Sequence, residues 1–322
     1  MNRIHSIHKV TTSMNPFGMT AGLRRLAVVV VLAMPMLSSG AADPQRFATP
    51  EAAVDAFAAA LKSDDEAALV AIFGERYKGM VSSGDRASDA AKRAETAALV
   101  ATFRSLQERG NDRRVLLICA QAWPLPIPLV RDGNSWRFAT ELGAEEIINR
   151  RIGGNERNAI YVLRAYLDAQ RAYASVDRDG DGVRQYARKL MSTPGKFDGL
   201  YWPADADKGE EMSPFGPLIA ESSASTPGRK AGDPYRGYHF RILTRQGKSA
   251  PGGAYSYIIN GRMLAGFALV AYPSEYGTSG VMTFIVSHGG KVYEKDFGKA
   301  TASIGAQMTS FDPGAGWKEV AP

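Results

Sequence analysis

The chain has 322 residues, with 39 Lys and Arg against 33 Asp and Glu, a formal net charge of +6. Four of those cations (Arg3, Lys9, Arg24 and Arg25) stand before residue 42, where there is no acid, so the remainder carries only 35 against 33. That near-balance excludes an electrostatic footprint for nucleic acid, and the single cysteine, Cys119, excludes an internal disulfide framework.

Arg24-Arg25 lead into the apolar run Leu26–Met34, then Pro35 and the small residues Ser38–Ala42. A basic region, an apolar core and small residues at a cleavage point are the marks of a secretory leader, here over residues 1–41. Cleavage after Ala41 puts Ser39 at position −3, and cleavage after Ala42 puts Gly40 there. The apolar run is shorter than the about 20 residues a membrane span needs. No membrane span is expected after leader removal, and the protein is expected in the periplasm or outside the cell.

A helix opens at Thr49-Pro50-Glu51, with Thr49 as cap, Pro50 in the first turn and Glu51 complementing the dipole. Its stripe of Val54, Phe57 and Leu61 breaks at Ser63-Asp64-Asp65 and resumes with Leu69 and Ile72. The Ala-rich run Ala87–Arg109 puts Leu99, Phe103 and Leu106 on one face and predicts a further helix. Val115–Ala122 reads as a buried strand, with Cys119 an inert thiol inside it. Leu129–Arg131 and Ser135–Phe138 flank Asp132-Gly133-Asn134, a tight-hairpin signal. Residues 43–142 are therefore expected to form a small α+β domain, with residues 143–322 as a second.

In the second part, Ala144–Arg151 reads as a short helix ended by Gly153-Gly154. Asn155 then reads as the cap of a new helix running to Val176, with Ile160, Leu163, Leu167 and Gln170 along one side. Asp177, Asp179, Asp181 and Gly182 follow, at positions 1, 3, 5 and 6 of a calcium loop. Alternate carboxylates suit a hard cation, so these three aspartates are the candidate Ca2+ ligands. Position 12 is Arg188, where the bidentate Glu belongs, so a complete EF-hand is excluded. The competing account is a solvated Asx/Gly turn that stops the helix.

Residues 192–234 form a long Gly- and Pro-rich excursion. From Tyr235 onward the pattern is β: Tyr238–Leu243, Tyr255–Ile259, Phe267–Tyr272, and a hairpin of Met282–Ser287 and Val292–Phe297 about His288-Gly289-Gly290. An antiparallel sheet with an apolar face needs a cover, and the preceding helix is the candidate. Beyond the leader the only histidines are His239 and His288, which excludes a clustered zinc site. Ser279 lacks the Gly-x-Ser-x-Gly elbow of a nucleophile. Tyr272, Glu275 and Tyr276, in an aromatic loop between two strands, are the candidate binding residues.

Several segments together resemble the exported bacterial family DUF2950, a domain of unknown function. They are Arg150-Arg151-Ile152-Gly153-Gly154-Asn155-Glu156, Tyr173–Gly182 with Gln185-Tyr186-Ala187, Gly199-Leu200-Tyr201-Trp202, Pro234–Leu243 and Ala271–Gly280. The resemblance implies no assigned activity. More loosely, the helix, Asp/Gly turn and sheet are similar to the globular heads of type IV pilin-like proteins, although here the helix is internal. The expected fold is α+β, with a long helix packed on an antiparallel sheet. The expected function is that of an exported envelope protein, a non-enzymatic binding or structural module with an envelope protein as partner. The alternatives are an envelope hydrolase using Glu275 or the Asp177–Asp181 cluster, and a calcium-stabilised module.

Overall fold

The computed structural model describes residues 42–216 and 232–321; the expected leader and part of the 192–234 excursion lie outside them. The chain is α+β. Its first part opens with α1 (Pro50–Lys62), capped by Thr49 through a 3.1 Å bond from the Ala52 amide, and α2 (Glu66–Phe73), capped by Asp65. A single turn, α3 (Lys78–Val81), precedes α4 (Arg86–Thr102), whose cap is Asp85. An antiparallel sheet follows: β1 (Arg104–Glu108), β2 (Arg113–Ile118), β3 (Trp123–Pro124), β4 (Leu129–Asp132) and β5 (Ser135–Phe138), with β3 paired to the end of β2. The helices cover this sheet through Phe57, Phe73 and Phe138, whose ring centroids lie 5.2–5.7 Å apart.

The helix predicted over Ala87–Arg109 is shorter than its composition suggests. It ends at Thr102, Phe103 takes an extended conformation, and Leu106 belongs to a strand paired along its whole length with β2. Helix propensity is a weak prior that sheet pairing overrides. Cys119 is free and buried.

The larger correction concerns α5, a single helix of 30 residues from Ala144 to Tyr173. It runs straight through Gly153-Gly154, and Asn155 is not a cap. Two helical glycines cost about 1 kcal/mol each relative to alanine, yet tertiary tethers hold this stretch. Asn155 Nδ2 donates to the Ser279 carbonyl at 2.8 Å, and Glu156 Oε1 accepts from the Val281 and Met282 amides at 3.0 Å each. The first turn of α5 belongs to the first core through Ala144; from Ala159 onward the helix belongs to a second core. The helix, which begins just after the expected 142/143 boundary, contributes to both cores, and both lie in one compact unit.

The second core packs α5 on a five-stranded sheet. Its strands β6 (Tyr238–Leu243), β11 (Ala268–Pro273), β12 (Met282–Ser287) and β13 (Val292–Asp296) are neighbours in that order, all antiparallel, with β6 at one edge and β15 (Lys318–Glu319) at the other. The short strands β7 (Arg245–Gln246), β8 (Tyr255–Ser256), β9 (Ile258–Ile259) and β10 (Arg262–Met263) lie between β6 and β11 in sequence. Leu163, Leu167 and Gln170 are buried on the stripe the sequence predicts. Gln170 is fully satisfied: its side-chain nitrogen bonds the Tyr166 hydroxyl and the Ala187 carbonyl, and its oxygen accepts from the Ala187 amide. The helix α6 (Thr301–Gln307) lies against β11, where Gly305 leaves room for the Tyr272 ring, and β14 (Ser310–Phe311) pairs with β7. Among the described residues no helix is long and apolar enough to cross a membrane.

Candidate functional site

Three segments meet where the two cores adjoin: the loop from Ser82 into α4, the glycine-bearing middle of α5, and the Gly237 and Ser274–Gly280 turns. Asp85 links two of them. Its Oδ1 caps α4 at Ser88 N (3.1 Å), and its Oδ2 accepts from Gly237 N, 152 positions away, at 2.9 Å. Ser83 donates to Asp89 through its amide (2.8 Å) and its hydroxyl (2.7 Å). Arg151 donates to the Gly79 carbonyl at 2.7 Å and to the Met80 carbonyl. Across the contact, the Ser274 hydroxyl lies 3.3 Å from the Ser83 carbonyl and 3.2 Å from the Ser279 hydroxyl.

Charge in this joint is crowded and poorly hydrated. Burial raises the Asp89 carboxyl above its ordinary value; the Ser83 bonds and the Arg151 charge pull it back, while Asp85 pushes it further up. Burial lowers the Arg151 guanidinium, and the charges of Asp89 and Glu275 oppose that. Desolvation penalises each ion and neighbouring opposite charge restores it. The local sequence signals none of this, because Asp85, Asp89 and Arg151 reach partners that hydrophobic periodicity does not mark.

Each predicted site residue has a definite place. Tyr272 is half-buried between α6 and His239, whose ring stacks on it at 5.3 Å. Glu275 is exposed, above Gly84, and its backbone is locked by Ser279, whose hydroxyl accepts from the Glu275 amide and donates to its carbonyl. The Tyr276 hydroxyl bonds Asp296 at 3.2 Å. The loop thus serves sheet packing at one end and the joint at the other. The acids that share the joint with Glu275, Asp85 and Asp89, are buried and hydrogen-bonded. Ser279 and His288 lie beyond opposite ends of β12, a six-residue strand that spans roughly 20 Å.

The Asp177–Gly182 run is an Asx/Gly turn. Asp177 accepts from the Gly180 and Gly182 amides at 3.0 and 2.8 Å, which holds its carboxyl below the ordinary range. Asp179 accepts from Gln185, and Asp181 accepts from the Val183 amide and pairs with Arg262. Arg188, at the position of the missing Glu, donates to the Gly261 carbonyl. Among the described residues no three His, Cys, Asp or Glu side chains are grouped as an ion cage.

The residue of consequence in that run is Arg178, which the ligand spacing hides. Its guanidinium lies between the Tyr173 and Trp202 rings, 5.0 and 4.9 Å from their centroids, and pairs with Glu211 at 2.9 Å. A planar cation between two rings is fixed by both faces, which an ammonium does not reproduce. Arg178→Lys is expected to cost about 1–2 kcal/mol, a fall in Tm of roughly 2–8 °C with an altered Trp fluorescence maximum. A melt and spectrum matching the parent would show that the sandwich carries no stability.

The family model described as "Protein of unknown function (DUF2950)" matches residues 44–320. The chain belongs to the DUF2950 family. No curated protein and no solved structure matches it. In this DUF2950 chain the segments that carried the resemblance have two destinations. Arg151, Asn155, Glu156, Gly237, Ser274 and Ser279 build the joint; Tyr173, Arg178 and Trp202 build the cation sandwich.

Proposed function

We propose that this DUF2950 chain is an exported protein of the bacterial cell envelope, periplasmic or secreted, acting as a non-enzymatic binding module for an envelope protein. The observation that carries this reading is Phe197. Its ring stands 50% exposed, edge-on to the buried Trp202 at 4.9 Å. Tyr173 donates its hydroxyl to the Phe197 carbonyl at 2.8 Å, so the exposed ring sits on an ordered support. Val176 and Met212, close in sequence to Arg178 and Glu211, are also exposed. A rigid aromatic anchor on a supported base is what protein interfaces use at their centre. Asp85 and Asp89 are engaged in the joint, and Asp177, Asp179 and Asp181 in their own turn and its neighbours.

Phe197→Ser tests this reading. Truncating an exposed ring is expected to move stability by about 0.5 kcal/mol at most. It is also expected to reduce recovery of the partner, crosslinked in intact envelopes, by about tenfold or more. Undiminished recovery by a variant of unchanged Tm would overturn the reading.

A further inference from the structure

We infer that the solvent face of α5 docks on an anionic lipid bilayer, through Arg157, Tyr161 and Arg164 at its centre and Arg150 and Arg171 at its ends. These residues are separate from the Phe197 anchor, and the attraction to lipid is measurable whether or not that anchor captures a protein. Arg150, Arg157, Arg164 and Arg171 stand seven positions apart along the helix. Seven residues advance a helix by about 10.5 Å and fall about 20° short of two full turns. The four arginines therefore form one row, about 30 Å long, that winds only about 60° around the axis. The row lies opposite the core: Leu163, Tyr166 and Gln170 are buried against the sheet, while Arg157, Tyr161 and Arg164 are exposed.

Charge along the row is uneven. Its outer members are paired within the helix, Arg150 with Glu146 at 2.7 Å and Arg171 with Asp168 at 3.1 Å. Among the described residues no carboxylate forms an ion pair with either inner member. Arg164 donates to the Ala321 carbonyl at 3.0 Å, which steadies the guanidinium without neutralising it. Arg157 lies over Gly153, where a Cβ would stand 3.4 Å from its guanidinium, and a Cβ on Gly154 would meet nothing within 4 Å, so neither position screens it. Glu156, the adjacent acid, is turned to the Val281 and Met282 amides. Between the two uncompensated cations stands Tyr161, 59% exposed. A tyrosine flanked by arginines suits the headgroup layer: the ring has an apolar body and a wet tip, and each guanidinium binds a phosphate through two parallel bonds. A straight row meets phosphates along its whole length on a flat bilayer. The apolar side of α5 is already covered by the sheet, so the helix lies on the membrane without entering it, and the attraction is electrostatic and screened by salt.

The test is co-sedimentation of residues 42–322, which hold both cores in one compact unit, with lipid vesicles. Vesicles of phosphatidylcholine with about a third phosphatidylglycerol are expected to carry the protein down, pure phosphatidylcholine is not, and binding is expected to fall as salt rises from about 0.05 M to about 0.5 M. Each cation near such a surface contributes about fivefold, so Arg157→Gln combined with Arg164→Gln should lower the partition coefficient about 25-fold. Both positions are exposed, and the double variant should melt with the parent. Lys62→Gln combined with Lys92→Gln removes the same charge from α1 and α4 and should sediment as the parent does. An equal loss in that control would assign the attraction to net charge and overturn the docking face. Sedimentation of the arginine variant at the parental level, equal binding to neutral vesicles, or no binding of the parent to either vesicle also overturns it. Binding to soluble polyphosphate but not to vesicles would identify a polymeric anion and overturn the bilayer as partner.

Discussion

Arg151→Met should lower stability by about 3 kcal/mol, a fall in Tm of roughly 6–12 °C. The side chain donates to two carbonyls of the single turn α3, which has no following turn to satisfy them. It also supplies the positive charge opposite the buried Asp89. Methionine retains the packing and removes both. The neighbouring Arg150 is the control: its ion pair with Glu146 is 2.7 Å long, yet the two side chains are 68% and 53% exposed. Exposed pairs contribute about 0–1 kcal/mol, so Arg150→Met should melt close to the parent. If the two variants melt alike, the joint contributes no stability.

The same variant carries a pH signature. The folded Asp89 carboxyl already sits above its ordinary value of 3.8. A raised carboxyl stabilises the fold when protonated, and that contribution is lost as pH rises through the folded value. Removing Arg151 raises it further. The deficit of Arg151→Met should therefore be largest at neutral pH and shrink as the pH falls toward 3.8. Melting curves of both proteins at a neutral and an acidic pH check this, and a deficit independent of pH would assign the loss to the two carbonyls alone.

Gly237→Ala should be at least as damaging, costing about 3–4 kcal/mol or preventing recovery of folded protein. A Cβ at this position would stand 2.5 Å from Asn155 Nδ2 and 3.0 Å from Ser279 Cβ, on a backbone with φ of +77°. Gly237 has no freedom to retreat, because its amide donates to Asp85 and its carbonyl accepts from the Ser274 amide at 2.9 Å. Gly277 separates strain from crowding. Its φ is +76°, with nothing within 4 Å of a Cβ, so Gly277→Ala should cost only the about 1–2 kcal/mol of a left-handed residue. Because the nearest obstacle is a side chain, Gly237→Ala combined with Asn155→Ala should recover part of the loss. Absence of any recovery would place the fault in the backbone rather than in the clash.

Much of the fold was legible residue by residue. Thr49 caps α1, β12 has the predicted bounds, and Leu163, Leu167 and Gln170 of the predicted stripe are buried. Alternation and three- to four-residue spacing are local properties, and burial of one face enforces them. The joint was not legible. Gly153-Gly154 followed by Asn155-Glu156 has the local form of a helix break and a new cap, and only the backbone of residues 279–282 turns those two polar side chains into tethers. The Asp/Gly run has calcium-loop spacing, yet its carboxylates are satisfied by their own turn, by Gln185 and by Arg262.

By itself, then, the sequence determined the α+β class, the hairpins β4–β5 and β12–β13, the apolar side of α5 and the turn that follows it, because each follows from neighbours a few positions apart. Tertiary structure alone decided that α5 is continuous, that Asp85 meets Gly237 and that Arg178 lies between two rings. Those outcomes depend on hydrogen-bond partners and packing surfaces far away in sequence, which exist only after the chain has closed on itself.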